Sequence, residues 1–421
     1  MTYVAEQLAR EWRFMLSQRY VIVLLGCALL VSSFSVITGI TEVNQQRQTI
    51  ERLKQADAID RKEAQDKHDD AGSLAYYTFH LTYSTPSNLA FAALGERDVY
   101  PWKHRIRMLA LEGQIYESDA QNPELAQIGK IDFVFVISAL SPLIIILLFH
   151  DLLASERSSG RYDFVLSTAK SPMALWGARS VVRFVSVFVS LLLPFLLGAI
   201  YSGTAIADIV MVSLMCLLYL LFWLALSVFL GRHSSSAPRI ASRLIGIWVL
   251  LAFVLPVLGD LVINKGVKSP EGGDILLVQR EAVNDAWDLP VDTTMQAFLE
   301  KHPEYADYKN IQTKGFKWWW YYAFQQVGDQ TATPLSKEYR EAAMKKQSFA
   351  TYAAFVSPPM LLQRGMTRLA NTDAAAAFAY EAQIREFHQA LRLFYYPNLF
   401  SSKDFDKSKL ESLPQFESVI K

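Results

Sequence analysis

The sequence predicts an all-α membrane bundle with a mixed, mostly helical extracytoplasmic domain. Three observations predict it. Five charge-free apolar stretches, 20–40, 133–149, 184–200, 209–231 and 244–259, each come near the length needed to cross about 30 Å of hydrocarbon at 1.5 Å per residue. Basic residues gather on one alternating set of flanks. Two long polar segments between and after these stretches have helix-forming composition and enough aromatics for a core. With flanking residues, the expected organisation is an interface helix 1–19 and spans 20–40, 131–150, 184–200, 208–231 and 244–263. The loop 151–183 and the outer segments 41–130 and 264–421 complete it.

Composition narrows the function classes. The 421 residues are 52% hydrophobic and carry 41 basic and 41 acidic side chains, a net charge of zero. No basic excess exists to neutralise phosphates, so nucleic-acid binding is not expected. Cys27 and Cys216 both fall inside expected spans, which rules out a disulfide framework. The first apolar run follows Arg10, Arg13 and Arg19, exceeds a signal-peptide core in length and lacks a small-residue cleavage site, so it reads as an uncleaved anchor.

Charge sets the orientation. Arg10, Arg13 and Arg19 precede the first span, and Arg157, Arg161, Lys170, Arg179 and Arg183 lie between the second and third. Arg232, Arg239 and Arg243 lie between the fourth and fifth, whereas the 201–208 loop has no basic residue. By the positive-inside rule the amino terminus is cytoplasmic and both long polar segments lie outside, in the periplasm of a diderm cell. Before the first span, Val4, Leu8, Trp12, Met15 and Leu16 recur at helical spacing, the pattern of an amphipathic helix lying in the interface plane.

The loop after span two is the most informative short segment. Glu156 and Arg157 stand where a span meets water, and Gly160 follows. The apolar set Tyr162, Phe164, Val165 and Leu166 comes next, and Ser171-Pro172 breaks the run, with Pro172 able to start a new helix. A short helix offered from the membrane face in this way suits docking into a groove on a soluble partner; a solvated loop has the same composition. Glu156 and Arg157 could pair with that partner or with the amino-terminal helix.

Within the spans, Pro142, Pro194 and Pro256 each free a backbone carbonyl and permit bending, which suits a gate. Asp132 and Asp260 are the carboxylates nearest the hydrocarbon and read as span boundaries, which weighs against an ion-coupled carrier. Residues 41–75 read as a helical stalk extending span one. Tyr76, Tyr77, Phe79, Tyr83 and Phe91 then supply a small core, and residues 337–349 and 374–393 are helical in composition. The run from Lys314 to Tyr322 includes Trp318, Trp319 and Trp320, which could fill the outer core, sit at the membrane–water interface or contact an amphipathic cargo.

Several signatures are absent. The chain has no Gly-x-x-x-x-Gly-Lys-Ser/Thr loop, no His-Glu-x-x-His and no Gly-x-Ser-x-Gly. Nucleotide binding by this chain and the commonest protease and esterase chemistries are therefore not expected. The seven histidines have no paired metal spacing, and Met211, Met215 and Cys216 read as helix-packing or lipid-facing residues, so no metal site is expected.

Glu156-Arg157-Ser-Ser-Gly160, an apolar run and Ser171-Pro172 together resemble the coupling loop of type-2 ABC exporter permeases. One branch of that family, with large extracytoplasmic domains, is similar over nearly the whole chain. Its motifs are matched at Ala93-Leu-Gly-Glu-Arg-Asp-Val-Tyr-Pro101, Asn122-Pro123, Gly129-Lys-Ile-Asp132 and Ser141-Pro142-Leu143. They are matched again at Ser357-Pro358, Leu369-Ala-Asn-Thr-Asp373 and Phe394-Tyr-Tyr-Pro397. This branch is related to permeases of gliding-motility and nitrous-oxide-reductase maturation systems.

The resemblance implies a non-enzymatic permease in the bacterial inner membrane that dimerises with an identical or homologous permease. A cytoplasmic ABC ATPase would bind ATP and Mg and seat on Glu156, Arg157, Gly160, Tyr162, Phe164 and Pro172. The expected cargo is peptide, lipid-linked or otherwise amphipathic. The alternatives are a mechanical component passing ATPase-driven motion to a periplasmic partner, and a membrane-anchored scaffold or receptor. Six spans are usual in the branch, so a sixth is expected beyond Lys421; a chain ending in a free outer domain is the other reading.

Overall fold

The computed structural model describes residues 2–116, 131–152, 154–160, 162–167, 171–232, 236–310, 316–400 and 405–419. Among them, five helices are long and apolar enough to cross a membrane: Arg19–Lys67, Phe133–Ser158, Leu175–Tyr201, Ile206–Arg232 and Ala237–Gly266. The protein is thus a helical membrane bundle, with a second, polar helical body built on its first and fifth spans. The expected motif segment at 122–130, together with Arg161, Lys170, Lys314 and Gly315, lies outside the described residues.

The chain enters through an interface helix, Thr2–Ser17, which packs on span one and on the start of the helix containing span three. Span one does not stop at the hydrocarbon boundary. Arg19–Lys67 is one helix of 49 residues, about 74 Å long at 1.5 Å per residue. Its second half is rich in Gln, Lys, Glu, Arg and Ala, all good helix formers. Pairs one turn apart, Asp57 with Arg61 and Glu63 with Lys67, support that polar stretch. The helix ends at His68, and Asp70 then caps the next one, Ala71–Tyr77, by accepting from Ser73 N at 2.8 Å.

Spans two and five share a break of the same form. In span two a π-helical turn, Val136–Leu140, is followed by Ser141-Pro142; in span five the π turn Leu250–Val254 is followed by Leu255-Pro256. Proline has no N–H and its ring crowds the preceding turn, so widening that turn relieves the clash. Pro194 lies inside the continuous helix Pro172–Tyr201.

The end of the bundle next to the polar body is closed by a loop rather than a helix. Leu89, Ala90, Phe91, Ala92, Ala93 and Leu94 are all buried in the cluster that also holds Val36, Phe133, Phe195 and Ala199 of the first three spans. Phe91, expected from sequence in the polar core, stacks instead on Phe195 of span three. The segment fits there because it is uncharged and half alanine, and because Gly39 leaves room: a Cβ at that position would lie 2.0 Å from Phe91 O. Its backbone is held by span two, where Val134 N donates to Ala92 O at 2.9 Å. Asp132 accepts from both Phe135 N and Leu94 N at 2.9 Å, so one carboxylate caps the span and pins the wedge.

The polar body joins the stalk, the antiparallel pair β1 (His80–Tyr83) and β2 (Lys103–Ile106), and helices Gly272–Asp285, Val291–Leu299, Trp318–Ala354 and Ala374–Leu399. Its core includes Leu74, Ile106, Met108, Phe298, Tyr322, Ile384, Leu391 and Tyr395. Buried charges within it are partnered. Asp329 accepts from Arg392, from Gln279 Nε2 and from the backbone N–H groups of Leu111 and Glu112; Glu112 accepts from Nε and Nη2 of Arg385, one to each carboxylate oxygen, at 2.9 Å.

Trp318–Ala354 also runs back down along span five. A Cβ on Gly259 would sit 3.8 Å from Ala353 Cβ, and Ser357 Oγ donates to Leu251 O at 2.7 Å. Leu251 is near the midpoint of Ala237–Gly266, so the tip at Phe355–Ser357 lies beside the middle of span five. The return helix Pro358–Leu369 then packs Leu362 and Met366 into the bundle cluster, close enough to span four that a Cβ on Gly365 would meet Met215 Sδ at 2.9 Å. The sequence assigned this segment to the outer domain; it is a hairpin that re-enters the bundle.

Candidate coupling and hinge sites

The residues singled out in the loop after span two come together at the basic end of the bundle. Ala154–Ser158 and Tyr162–Ser167 are short helices flanking Gly160, whose φ of +68° and absence of neighbours to a Cβ mark a turn that favours glycine. The backbone of Pro172 opens the long helix containing span three, the helix-start role that the Ser171-Pro172 pair predicts.

Glu156 is buried and points inward. Arg179 Nη1, on the span-three helix, donates to Glu156 Oε1 at 3.3 Å, and Arg179 Nε donates to Glu11 Oε2 at 2.9 Å. Glu11 is only 3% exposed and is held also by Arg10 at 3.2 Å. The guanidinium of Arg179 lies 5.1 Å from the Phe14 ring centroid and 5.0 Å from that of Trp176. One cation therefore joins three elements: the interface helix, the post-span-two loop and the span-three helix. A few residues on, Arg183 donates to Leu148 O of span two and to Gln18 Oε1 at the junction of the interface helix and span one.

Arg157 serves the outer layer of the same assembly. It donates to Arg232 O at the end of span four at 3.2 Å and lies 4.9 Å from the Tyr162 ring centroid, while Tyr162 stacks on Trp176. Phe164 is left 71% exposed on the helix Tyr162–Ser167. Glu156, Arg157 and Tyr162 are thus structural members of one packed unit, Gly160 is the exposed turn between its two short helices, and Phe164 is its outward-facing apolar side chain. Glu11 and Arg179 were not among the expected site residues. A charged residue next to Trp12 on an otherwise amphipathic helix carries no pairing signal until its neighbour in space is known.

The three proline positions are tied to neighbouring elements through the carbonyls near them. Around Pro142, Tyr219 OH of span four donates to Ser138 O, Trp248 Nε1 of span five donates to Ala139 O at 3.0 Å, and Ser141 Oγ donates to Ile137 O at 2.6 Å. Before Pro256, Leu251 O is taken by Ser357 of the re-entrant hairpin. One turn before Pro194, Leu191 O accepts from Ser32 Oγ of span one at 2.6 Å. Each of the three sites is bound from outside its own helix, so bending any one of them must shift a neighbour.

The aromatics at 318–320 lie against the polar core. Trp318 fills the space beside Gly72, where a Cβ would lie 2.0 Å from its ring, and stacks on Tyr322; Trp320 packs edge-on to Trp287. Among the described residues no cluster of three His, Cys, Asp or Glu side chains could hold a metal ion. Met215 packs on the hairpin and Cys216 is buried in the bundle.

Residues 275–418 match the family model of a domain of unknown function, DUF3526. The match starts just after span five and takes in most of the polar body's second segment together with the re-entrant hairpin. No curated protein and no solved structure matches the chain.

Proposed function

We propose that this chain is the membrane-spanning permease subunit of an ATP-driven exporter in a bacterial inner membrane. A cytoplasmic ATPase subunit binds ATP and Mg, and a second permease, identical or homologous, completes the transport unit. The observation that carries the reading is the Glu11–Arg179–Glu156 cluster. It fastens the post-span-two loop to the interface helix and to span three, so a push on the exposed Phe164 face moves two membrane elements together. The hinge carbonyls at Pro142, Pro194 and Pro256 then offer joints at which such a displacement can bend the spans. An amphipathic cargo, peptide or lipid-linked, suits the apolar bundle and the periplasmic placement of the polar body. The resemblance of the loop sequence to exporter permeases supports the same assignment.

One observation favours a second reading, in which motion is delivered to a periplasmic partner and nothing crosses. The 49-residue helix Arg19–Lys67 links the interface helix to the far end of the polar body without a break, which suits mechanical transmission.

The test is co-purification from detergent after expression with the neighbouring genes. Wild type should bring down a nucleotide-binding protein. Phe164→Asp, on an exposed position, and the pair Glu156→Ala with Gly160→Trp should lose it. Absence of any ATPase with wild type sinks the permease reading. ATPase stimulation by an amphipathic cargo, without periplasmic proteins, separates export from mechanics.

A further inference from the structure

The hairpin that re-enters the bundle carries an exposed stripe whose chemistry changes with height. Lys345, Phe349 and Tyr352 stand four and then three positions apart on Trp318–Ala354, so they share one face, and all three are exposed. The tip beyond them leaves Phe355 70% and Val356 66% exposed. Above Lys345 the same helix carries the exposed Glu341 and Glu338. From the tip upward the order is apolar, aromatic, basic and acidic, which matches hydrocarbon, interface, headgroup and water.

Span five fixes the heights. Ser357 bonds to Leu251 O and Ala353 lies against Gly259, so the two helices run antiparallel. Following that register two turns further along each brings Lys346 level with Gly266, on the face that Ala353 turns to span five. A Cβ on Gly266 would meet nothing within 4 Å, so the space there is open. Gly266 stands about 22 Å beyond Leu251 at 1.5 Å per residue, the headgroup level of a bilayer about 40–45 Å thick centred on the middle of the span.

Four lysines meet at this height. Lys265 and Lys268 flank Gly266 and are exposed, as is Lys345; Lys346 is half-buried. Among the described residues none of the four joins an ion pair, because the neighbouring carboxylates are engaged elsewhere. Glu341 faces Lys337 at 3.9 Å, Asp260 accepts from Asn264 Nδ2 at 2.9 Å, and Glu271 and Asp274 form the cap of Gly272–Asp285. Below the lysines the apolar stripe is continuous with the membrane surface of span five. The most apolar window of that span has no buried residue, and Leu258, Leu261 and Val262 are exposed at about the heights of Tyr352 and Phe349.

We propose that an anionic phospholipid, from the leaflet beside the polar body, seats its phosphate among Lys345, Lys346, Lys265 and Lys268 and lays its chains along Phe349, Tyr352 and the tip. A cationic cluster above an exposed apolar stripe is complementary to that one class of molecule: a soluble anion leaves the stripe uncovered, and a zwitterionic lipid leaves the charge unanswered. The inference rests on the membrane spans and not on the ATPase reading. A lipid held there joins span five to the polar body.

The test uses the full chain, delipidated in mild detergent and titrated with dioleoyl phosphatidylglycerol or dioleoyl phosphatidylcholine under native mass spectrometry. Wild type should retain the anionic lipid and not the zwitterionic one. A lysine near an anionic headgroup is worth about fivefold in affinity, so Lys345→Gln with Lys346→Gln should bind about 25-fold more weakly, and the paired Arg substitutions should bind as wild type does. Arg239 and Arg243, at the other end of span five, are present in every protein compared, so the difference reads the lysines alone. Glycerol phosphate, the headgroup without chains, should not bind. The tip is read separately by a fluorophore on Val356→Cys in a Cys27→Ser background, which brominated acyl chains should quench in phosphatidylglycerol vesicles. Equal retention of the two lipids, a Gln pair that binds as wild type does, or binding of glycerol phosphate would each overturn the proposal. So would an unquenched tip, which would mean that a second copy or another protein covers the stripe.

Discussion

Arg179 donates from Nε to Glu11 Oε2 at 2.9 Å, joining two residues 168 positions apart at the foot of the bundle. Both side chains are almost wholly enclosed, and Glu156 shares the same guanidinium. Enclosed ion pairs do little net stabilising, because desolvation offsets attraction, but removing one partner strands the other. Here a single guanidinium bridges two enclosed carboxylates, one of which Arg10 also holds, so its loss removes the cation that lies between them.

Arg179→Leu is therefore expected to destabilise by about 3–5 kcal/mol, the usual range for breaking a buried pair. Thermal unfolding in detergent measures it. Glu11→Gln in the Arg179→Leu background should recover part of the loss, since one of the two enclosed carboxylate charges is then gone. A single Arg179→Leu variant that melts with wild type would show that the cluster is solvated and carries no coupling.

The hinge at Pro256 makes a coupled prediction. Ser357→Ala leaves the half-buried Leu251 O without its side-chain donor, at a cost of about 1 kcal/mol, the usual net worth of one hydrogen bond. Pro256→Ala supplies a backbone N–H to the same turn. In the Pro256→Ala background Ser357→Ala should cost markedly less, a non-additivity read from a double-mutant cycle of unfolding midpoints. Full additivity would mean that Ser357 acts only as the cap of Pro358–Leu369, where it accepts from Met360 N at 3.4 Å.

Much of this architecture is written plainly in the sequence. Hydropathy finds the five spans because each is a continuous apolar run, and the charge-free stretch through Gly39 followed by Glu, Lys and Gln residues indicates a span that continues as a stalk. The loop around Glu156 is legible from its charge, glycine and proline punctuation. The wedge 89–94 and the hairpin helix Pro358–Leu369 are not, because both are too short or too mixed for a window that seeks membrane spans. Leu362 and Met366 sit among Gln363, Arg364 and Arg368, and only their packing on span four gives them away. Likewise Glu11 and Arg179 carry no signal as a pair, since nothing local relates two positions so far apart.

The wedge yields a test of its own. At Gly39 a methyl group would meet the Phe91 carbonyl oxygen at 2.0 Å, a contact with backbone that no side-chain rotation can relieve. Gly39→Ala must push the 89–94 segment outward or displace span one, which overpacking data put at about 1–3 kcal/mol or more. Gly26→Ala, on the same helix with nothing within 4 Å, should be neutral or slightly stabilising. Comparing monodisperse yield and melting of the two variants decides the matter; equal behaviour would mean that the wedge does not seat between the spans.

The buried histidines make the polar body sensitive to acid. Burial holds the pKa of His104 down at about 4 and that of His80 at about 3, with Arg61 adding to the second. Burial first and Arg392 next keep His388 well below 6.5. All three are neutral in the fold and titrate near 6.5 in an unfolded chain, so below that value the unfolded state binds more protons. Stability should be fully present above about pH 6.5 and fall as pH drops, each histidine contributing a slope of up to about 1.4 kcal/mol per pH unit until its folded pKa is reached. The carboxyls of Asp57 and Glu381, whose pKa values burial raises, act in the opposite sense but only as the pH nears the carboxylate range. Denaturant unfolding followed by tryptophan fluorescence between about pH 7 and 5 reads the slope. His80→Phe should flatten it by one proton's worth, and a wild type with no slope in this window would mean that the histidines are reached by water and protonate in the folded state.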